Sequence, residues 1–228
     1  MGAVLHIPPK PETSNELNSR TPTELGDEDL LLLYCRTGRR QAFNQLVKRY
    51  ERELYNYLRR YLGDAEMAED AFQATFLQVH LKCSQFEAGR RFRPWLYAIA
   101  TNQAIDARRR TKRHRLVSLG RSGHGEAGDN GPRLGDMLQS GETGPQEHAS
   151  LREHRQWVQQ QVEELPEALR SAVLLVYFEG MKYRDAAEAL EVPVGTVKSR
   201  VHAAIQRLSE AWRRREPLDS EEAAESSL

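Results

Sequence analysis

Apolar residues recur along most of this chain at intervals of three and four, the spacing that puts them on one face of a helix. Phe43, Leu46, Val47, Tyr50, Leu54, Tyr57, Leu58 and Tyr61 mark such a face on a long first helix, which Gly63-Asp64 ends. A second helix is predicted over 65–81, with Ala68, Ala71, Phe72, Thr75, Phe76 and Val79 on one side. After a loop around 86–93 that contains Gly89, Pro94 sits where a first helical turn tolerates proline, so 95–110 reads as a third helix. Further on, the pattern predicts helices over 152–165, 167–179, 183–190 and 194–215, broken at Pro166, at Gly180 and before Val194. No stretch alternates convincingly as a strand would. The expected class is all-α.

Composition then divides the chain. All 6 Phe, 3 Trp and 8 Tyr fall within 24–117 or 151–215, which marks those stretches as two small helical domains. Residues 1–23 hold four prolines and no aromatic residue, and read as a disordered tail. Residues 118–150 hold 8 of the 15 glycines and read as a flexible linker. Residues 216–228 read as a frayed acidic tail. The longest apolar runs, 30–35 and 172–178, fall far short of the roughly 20 residues of a membrane span. The N-terminus has no secretory-signal pattern. With only Cys35 and Cys83, neither a disulfide framework nor a cysteine-based zinc site is expected, and His148 and His154 lack further ligand spacing. The expectation is a cytoplasmic protein without metal, cofactor or membrane insertion.

Charge changes the picture once it is mapped. The 33 Lys+Arg cancel the 33 Asp+Glu, which taken alone argues against a nucleic-acid binder. Yet 24–117 carries 18 basic and 12 acidic residues, and 151–215 carries 11 and 9. The linker has 2 basic and 5 acidic residues, and the C-terminal tail 0 and 5. Neutrality is a cancellation between basic domains and acidic connectors.

Two features carry candidate chemistry. The helices over 183–190 and 194–208 are joined by about three residues, Glu191-Val192-Pro193, as in a helix-turn-helix whose second helix enters the major groove. Ala186, Ala187 and Ala189 allow close packing, and Leu190, Val192, Val197, Val201, Ile205 and Leu208 form the expected buried side. Thr196, Lys198, Ser199, Arg200 and His202 face the other way and can donate to bases and phosphates. A plain helical bundle with a solvated basic face would show the same spacing. The other feature is 85–115, with nine basic and two acidic residues, six of the basic ones between Arg108 and Arg115. Such density attracts phosphate by counterion release. Phe86, Phe92, Trp95 and Tyr97 precede it, and aromatics beside a basic groove can stack unpaired bases, which suggests single-stranded DNA. Trp95 and Tyr97 also suit a core, and for Trp95 the core role is favoured.

Three stretches in this order, AEMAEDAFQATFL (65–77), FRPWLYAIATNQAID (92–106) and PVGTVKSR (193–200), resemble regions 2.2, 2.3–2.4 and 4.2 of sigma-70 family factors of the extracytoplasmic-function (ECF) group. The resemblance covers about 24–117 and 151–212 and matches the minimal layout of that group. It implies a sigma region 2 bundle and a sigma region 4 helix-turn-helix domain that bind core RNA polymerase, direct it to −10 and −35 promoter elements and help melt DNA, without catalysis. Glu69, Asp70, Gln73 and Phe76 match the surface that docks on the clamp coiled coil of the largest polymerase subunit; the flap is the expected second contact. Phe86, Trp95, Ile99, Asn102, Arg109 and Arg110 match the −10 single-strand site, where a flipped base is captured. Thr196, Lys198, Ser199, Arg200 and His202 match the −35 recognition helix. An anti-sigma factor is an expected partner.

Three positions depart from the family pattern. Glu191 stands where the turn often has Gly, Ala186 replaces a larger aliphatic, and Ala203 replaces a base-contacting Arg of some members. A flexible 33-residue linker has an r.m.s. span of roughly 30 Å and an extended limit near about 110 Å. Promoter elements two helical turns apart are separated by roughly 70 Å, so the linker reaches only when extended. A stand-alone helix-turn-helix regulator is the alternative, and would bind duplex DNA tightly without polymerase. A DNA-processing enzyme would need a clustered carboxylate site, whereas Asp64, Glu66, Glu69 and Asp70 are spread by helical spacing over a docking surface.

Overall fold

The computed structural model describes residues 23–119 and 145–225, and every regular element among them is helical. Residues 1–22 of the expected N-terminal tail (1–23) and residues 120–144 of the expected linker (118–150) lie outside the described residues.

The first bundle begins with a helix that the apolar pattern left unassigned, α1 (Asp27–Thr37). Asp27, Glu28 and Asp29 fill its first turn, where the helix dipole favours acidic groups, and Leu30, Leu31 and Leu33 are buried. Helix α2 (Arg40–Leu62) buries Leu46, Tyr50, Leu54, Tyr57, Leu58 and Tyr61 of the stripe predicted from spacing, together with Ala42 and Leu62, while Phe43 and Val47 are half-buried. Gly63 ends it at φ 77, donating its N–H to the Arg59 carbonyl at 3.0 Å. Asp64 caps α3 (Ala65–Lys82) by accepting from the Met67 N–H at 2.8 Å. A short 3-10 turn, Cys83–Gln85, leads to the loop before α4 (Phe92–Leu119).

Helix α4 starts earlier and ends later than 95–110. The Phe92 N–H donates to the Glu28 carboxylate at 2.8 Å, which ties the start of α4 to α1. Tyr57, Tyr61, Tyr97 and Phe92 are fully buried in the middle of the bundle. Tyr57 and Tyr97 meet edge to face at 5.0 Å. Thr101 donates to the Tyr97 carbonyl at 2.7 Å, so its oxygen accepts from the Tyr57 hydroxyl at 2.7 Å. A buried phenol is thereby satisfied without a charge.

The second bundle contains α5 (Pro145–Glu164), α6 (Glu167–Val173), α7 (Tyr183–Ala189) and α8 (Val194–Glu225). Two corrections concern its ends. Helix α5 begins at Pro145, inside the stretch read as linker, and α8 runs on to Glu225 through the stretch read as a frayed tail. Both extensions contain Glu and Ala (Glu147 and Ala149; Glu221, Glu222, Ala223 and Ala224), which favour helix even where no apolar stripe marks it. The single helix expected over 167–179 is instead α6 followed by one π-helical turn, Leu174–Phe178. This wider turn keeps Leu174 and Leu175 buried and leaves Tyr177 and Phe178 exposed. The two bundles touch: α7 lies against α4, while α5 and the π-turn touch α2.

Candidate nucleic-acid interface

The second helix of the helix-turn-helix is the N-terminal part of α8. Its buried stripe is Val197, Val201 and Ala204, set against the small side chains Ala186, Ala187 and Ala189 of α7. Ile205, expected inside, is 38% exposed, and Leu190, Val192 and Leu208 are half-buried against the core. Lys198, Ser199 and His202 are exposed, and Thr196 and Arg200 are half-buried. Ser199 donates to the Thr196 carbonyl at 3.0 Å, a local bond that a base or phosphate acceptor can replace. The turn carries one backbone anomaly: Glu191 sits at φ 52, in the left-handed region that favours glycine. The turn keeps its shape despite the missing glycine, at a cost of about 1 kcal/mol.

In the basic aromatic segment the predicted residues separate. Phe86, Trp95 and Ile99 are 5%, 6% and 6% exposed. Phe86 and Trp95 pack edge to face at 5.1 Å, and Phe92 lies 6.1 Å from Trp95. These rings form a packed cluster under the segment rather than an open stacking platform. Asn102 and Arg110 are exposed on α4, and Arg109 bonds Glu167 at 3.0 Å.

The outer face of α3 presents Glu69, Asp70 and Gln73, with Gln73 donating to Glu69 at 3.0 Å. Phe76 is not on that face. It is 6% exposed and packs against Phe43 and Phe72 at 6.0 and 5.1 Å. The exposed apolar positions are Leu77 at 56% and Leu81, one turn further along the same face. Spacing could have found Leu77, which lies four residues after Gln73 and seven after Asp70.

Cys35 and Cys83 are both half-buried beside the core. Burial and a hydrogen bond with Cys83 push the Cys35 thiol up to about 12, so it is not a ready nucleophile. His154 packs against the Trp212 ring at 5.4 Å.

Two family models match this architecture: "Sigma-70 region 2" over residues 46–114, and "Sigma-70, region 4" over residues 155–208. The ECF RNA polymerase sigma factor SigW of Bacillus subtilis is 30% identical over 176 residues, which cover 77% of this chain and 91% of that protein. The chain belongs to the ECF group of the sigma-70 family. The RNA polymerase sigma-H factor of Pseudomonas aeruginosa is 33% identical over 178 residues, 76% of this chain and 88% of that one. Among solved structures, CnrH in complex with the cytosolic domain of CnrY superposes with TM-score 0.58 at 23% identity, covering 82% of this chain and 97% of that chain. RpoE in complex with the anti-sigma factor NepR from Bartonella quintana gives 0.56 at 26% identity, covering 75% and 96%. This sigma factor therefore directs RNA polymerase to promoters, and its two bundles are region 2 and region 4.

Between regions 2 and 4 the sigma factor holds a polar junction that sequence reasoning did not find. Arg91 pairs with Asp185 and, at 3.1 Å, with Glu188; Arg90 reaches Glu188 at 3.4 Å. Arg93 donates to the Glu179 carbonyl at 2.8 Å and to the Glu53 carboxylate at 2.7 Å. The Tyr97 hydroxyl lies 2.6 Å from Glu53 and 2.9 Å from Glu179, and Arg60 pairs with Glu179 at 3.3 Å. Burial raises the Glu179 carboxyl above its ordinary range, and burial together with the two carboxylates raises the Tyr97 phenol. Tyr61 and Ser171 share a hydrogen bond at 3.0 Å, and Arg108 donates to the Glu163 carbonyl at 3.3 Å. Gly63 sits so close to region 4 that a Cβ there would meet Glu163 Oε2 at 2.7 Å. Arg170 lies against the Tyr61 ring at 5.5 Å while donating to the Val162 and Leu165 carbonyls at 3.0 and 2.7 Å; burial and Arg108 lower it to about 10.

Proposed function

We propose that the sigma factor divides its task among three surfaces. The exposed face of α8, with Thr196, Lys198, Ser199, Arg200 and His202, reads the −35 duplex. The observation that carries this is that exposed Lys198, Ser199 and His202, with half-buried Thr196 and Arg200 beside them, lie opposite the buried Val197, Val201 and Ala204 stripe. Asn102 and Arg110 on α4, together with the arginines around it, hold the melted −10 strand. Phe86, Trp95 and Ile99 form the floor beneath and reach a flipped base only if the cluster opens. Glu69, Asp70 and Gln73, with Leu77 as apolar anchor in place of Phe76, dock on the clamp coiled coil of the polymerase, and the flap takes region 4. In this reading 24–117 and 151–215 are the working domains, and the protein acts in the cytoplasm without catalysis of its own. The likeness to RpoE bound to NepR supports an anti-sigma factor as a further partner.

Run-off transcription with core polymerase tests the whole reading. Addition of the protein should start transcripts at a cognate promoter. Asp70→Lys should abolish core binding in a pull-down. Arg200→Ala should leave core binding intact and lower initiation by roughly tenfold or more, since one good base or phosphate contact is worth about 1–3 kcal/mol. Tight duplex binding by the free protein, with no response to polymerase, would reverse the conclusion.

A further inference from the structure

The only two cysteines of the chain are far apart in sequence and adjacent in space. Cys35 lies near the carboxyl end of α1, and Cys83 opens the 3-10 turn that follows α3. Helix α1 packs against that turn. Tyr34, the neighbour of Cys35, shares a 2.7 Å hydrogen bond between its hydroxyl and His80 Nδ1 of α3, and the two rings lie 5.9 Å apart. A contact that involves no sulfur therefore holds the two helix ends together, and both thiols rest half-buried on the same edge of the core.

A cysteine on a core edge often serves only as a small apolar filler. Two further features set this pair apart. The thiols share a hydrogen bond with each other, so the sulfurs already face one another across the gap that a disulfide closes at about 2.05 Å. They are also within reach of solvent, because Arg36, Lys82 and Ser84 beside them in the chain are exposed. The hydrogen bond decides the order of reaction. Burial and this bond keep the proton on Cys35, which makes Cys35 the donor and leaves Cys83 as the sulfur that attacks.

We propose that Cys35 and Cys83 form a peroxide-oxidisable pair that closes a reversible disulfide, tying the end of α1 to the end of α3. The Cys83 thiolate attacks one oxygen of hydrogen peroxide, the O–O bond breaks, and Cys83 becomes a sulfenic acid as hydroxide leaves. The hydroxide takes up the proton that Cys83 released and becomes water. The Cys35 sulfur then displaces the hydroxyl group from Cys83, and the Cys35 proton leaves with it as a second water. The two thiols lose two electrons in all, and the peroxide gains them. A small thiol reverses the bond by exchange, so where thiols are kept reduced the bond is transient, as in a sensor. Exposed Leu81 lies two residues before Cys83, so closure stiffens the end of the α3 face that carries Leu77 and Leu81.

Treatment of the full-length protein with hydrogen peroxide, followed by digestion without reductant and mass spectrometry, tests the pair. A single crosslink between the Cys35 and Cys83 peptides should appear on monomeric protein and vanish with dithiothreitol. The oxidised protein should unfold about 5 °C or more above the reduced protein. Dimedone, which traps sulfenic acids, should label Cys83 in Cys35→Ser and leave Cys35 unlabelled in Cys83→Ser, with circular dichroism unchanged in both. Thiols that stay reduced, pass to sulfinic acid without a crosslink, or link only between chains would overturn the pair. Equal labelling in the two variants would overturn the assignment of Cys83 as the attacking sulfur.

Discussion

In region 2 the fully buried side chains are large: Tyr57, Tyr61, Tyr97, Phe92, Leu46, Leu54 and Leu58. In the helix-turn-helix of region 4 they are small, with Ala186 and Ala204 at 0% exposure, Val197 beside them, and Val201, Ala187 and Ala189 nearly so. Burying a Leu or Phe stabilises by about 1.5–3 kcal/mol, whereas each methylene contributes about 0.8. Region 2 therefore has the stronger core. In region 4 the large fully buried side chains, Leu174 and Leu175, precede the helix-turn-helix, whose own core is thin, as Ala186 in place of a larger aliphatic implies. Region 2 is built around large rings with a satisfied polar interior, while the helix-turn-helix of region 4 is built on small side chains that let α7 and α8 approach closely.

Substitutions can break this comparison, beginning with the largest effect. Leu58→Ala should cost about 2–5 kcal/mol, because the tightly packed centre of region 2 cannot collapse around the gap. Thermal unfolding of the full chain should show a large loss in the transition assigned to region 2. Val201→Ala in region 4 should cost only about 1.5 kcal/mol, the worth of two methylenes. Equal losses at the two sites would show that the cores are equally strong.

Glu191→Gly should move in the opposite direction. The residue adopts φ 52, so removing its side chain relieves the left-handed strain and should stabilise region 4 by about 1 kcal/mol, read as a higher midpoint of unfolding. A loss of stability would mean that Glu191 makes a contact worth more than the strain.

The smallest expected effect is of pH. The Glu179 carboxyl is raised by burial at the junction, where Arg60, Arg93, Tyr97 and Glu53 face it. With the two bundles in contact, it therefore holds a proton more tightly than an exposed carboxyl does. The contact is strengthened as pH falls toward the ordinary carboxylate range, and that contribution is lost as pH rises through the raised value. Scattering across this window should show loosening with rising pH, and Glu179→Gln should flatten the response.

Much of the fold was legible because helical periodicity is a local signal. The stripe from Leu46 to Tyr61 appears in the sequence and in the core of α2. The run Leu30–Leu33 was less legible, because an apolar stretch of four residues has no period by which to tell a helix from a strand. The helical ends over 111–119, 145–151 and 216–225 were missed because polar, charged helices leave no stripe. Within the candidate site, Lys198, Ser199 and His202 are exposed on α8 and Thr196 and Arg200 are half-buried, because spacing gives the side of a helix but not how far its neighbours cover it. Phe76 was not: spacing places it on a helix side but does not say which neighbouring helix covers that side. Phe86, Trp95 and Ile99 were open to two readings for the same reason.

By itself the sequence determined the all-α class, the two domains, the family motifs and the separation of basic domains from acidic connectors. These depend on neighbours a few residues apart and on composition. Tertiary structure alone decided which aromatic residues are core and where the arginines of region 2 find their partners. Arg90 and Glu188 are 98 residues apart in the chain, and Arg60 and Glu179 are 119 apart. No local pattern pairs charges across such distances, because a charge written in a sequence carries a sign but no direction.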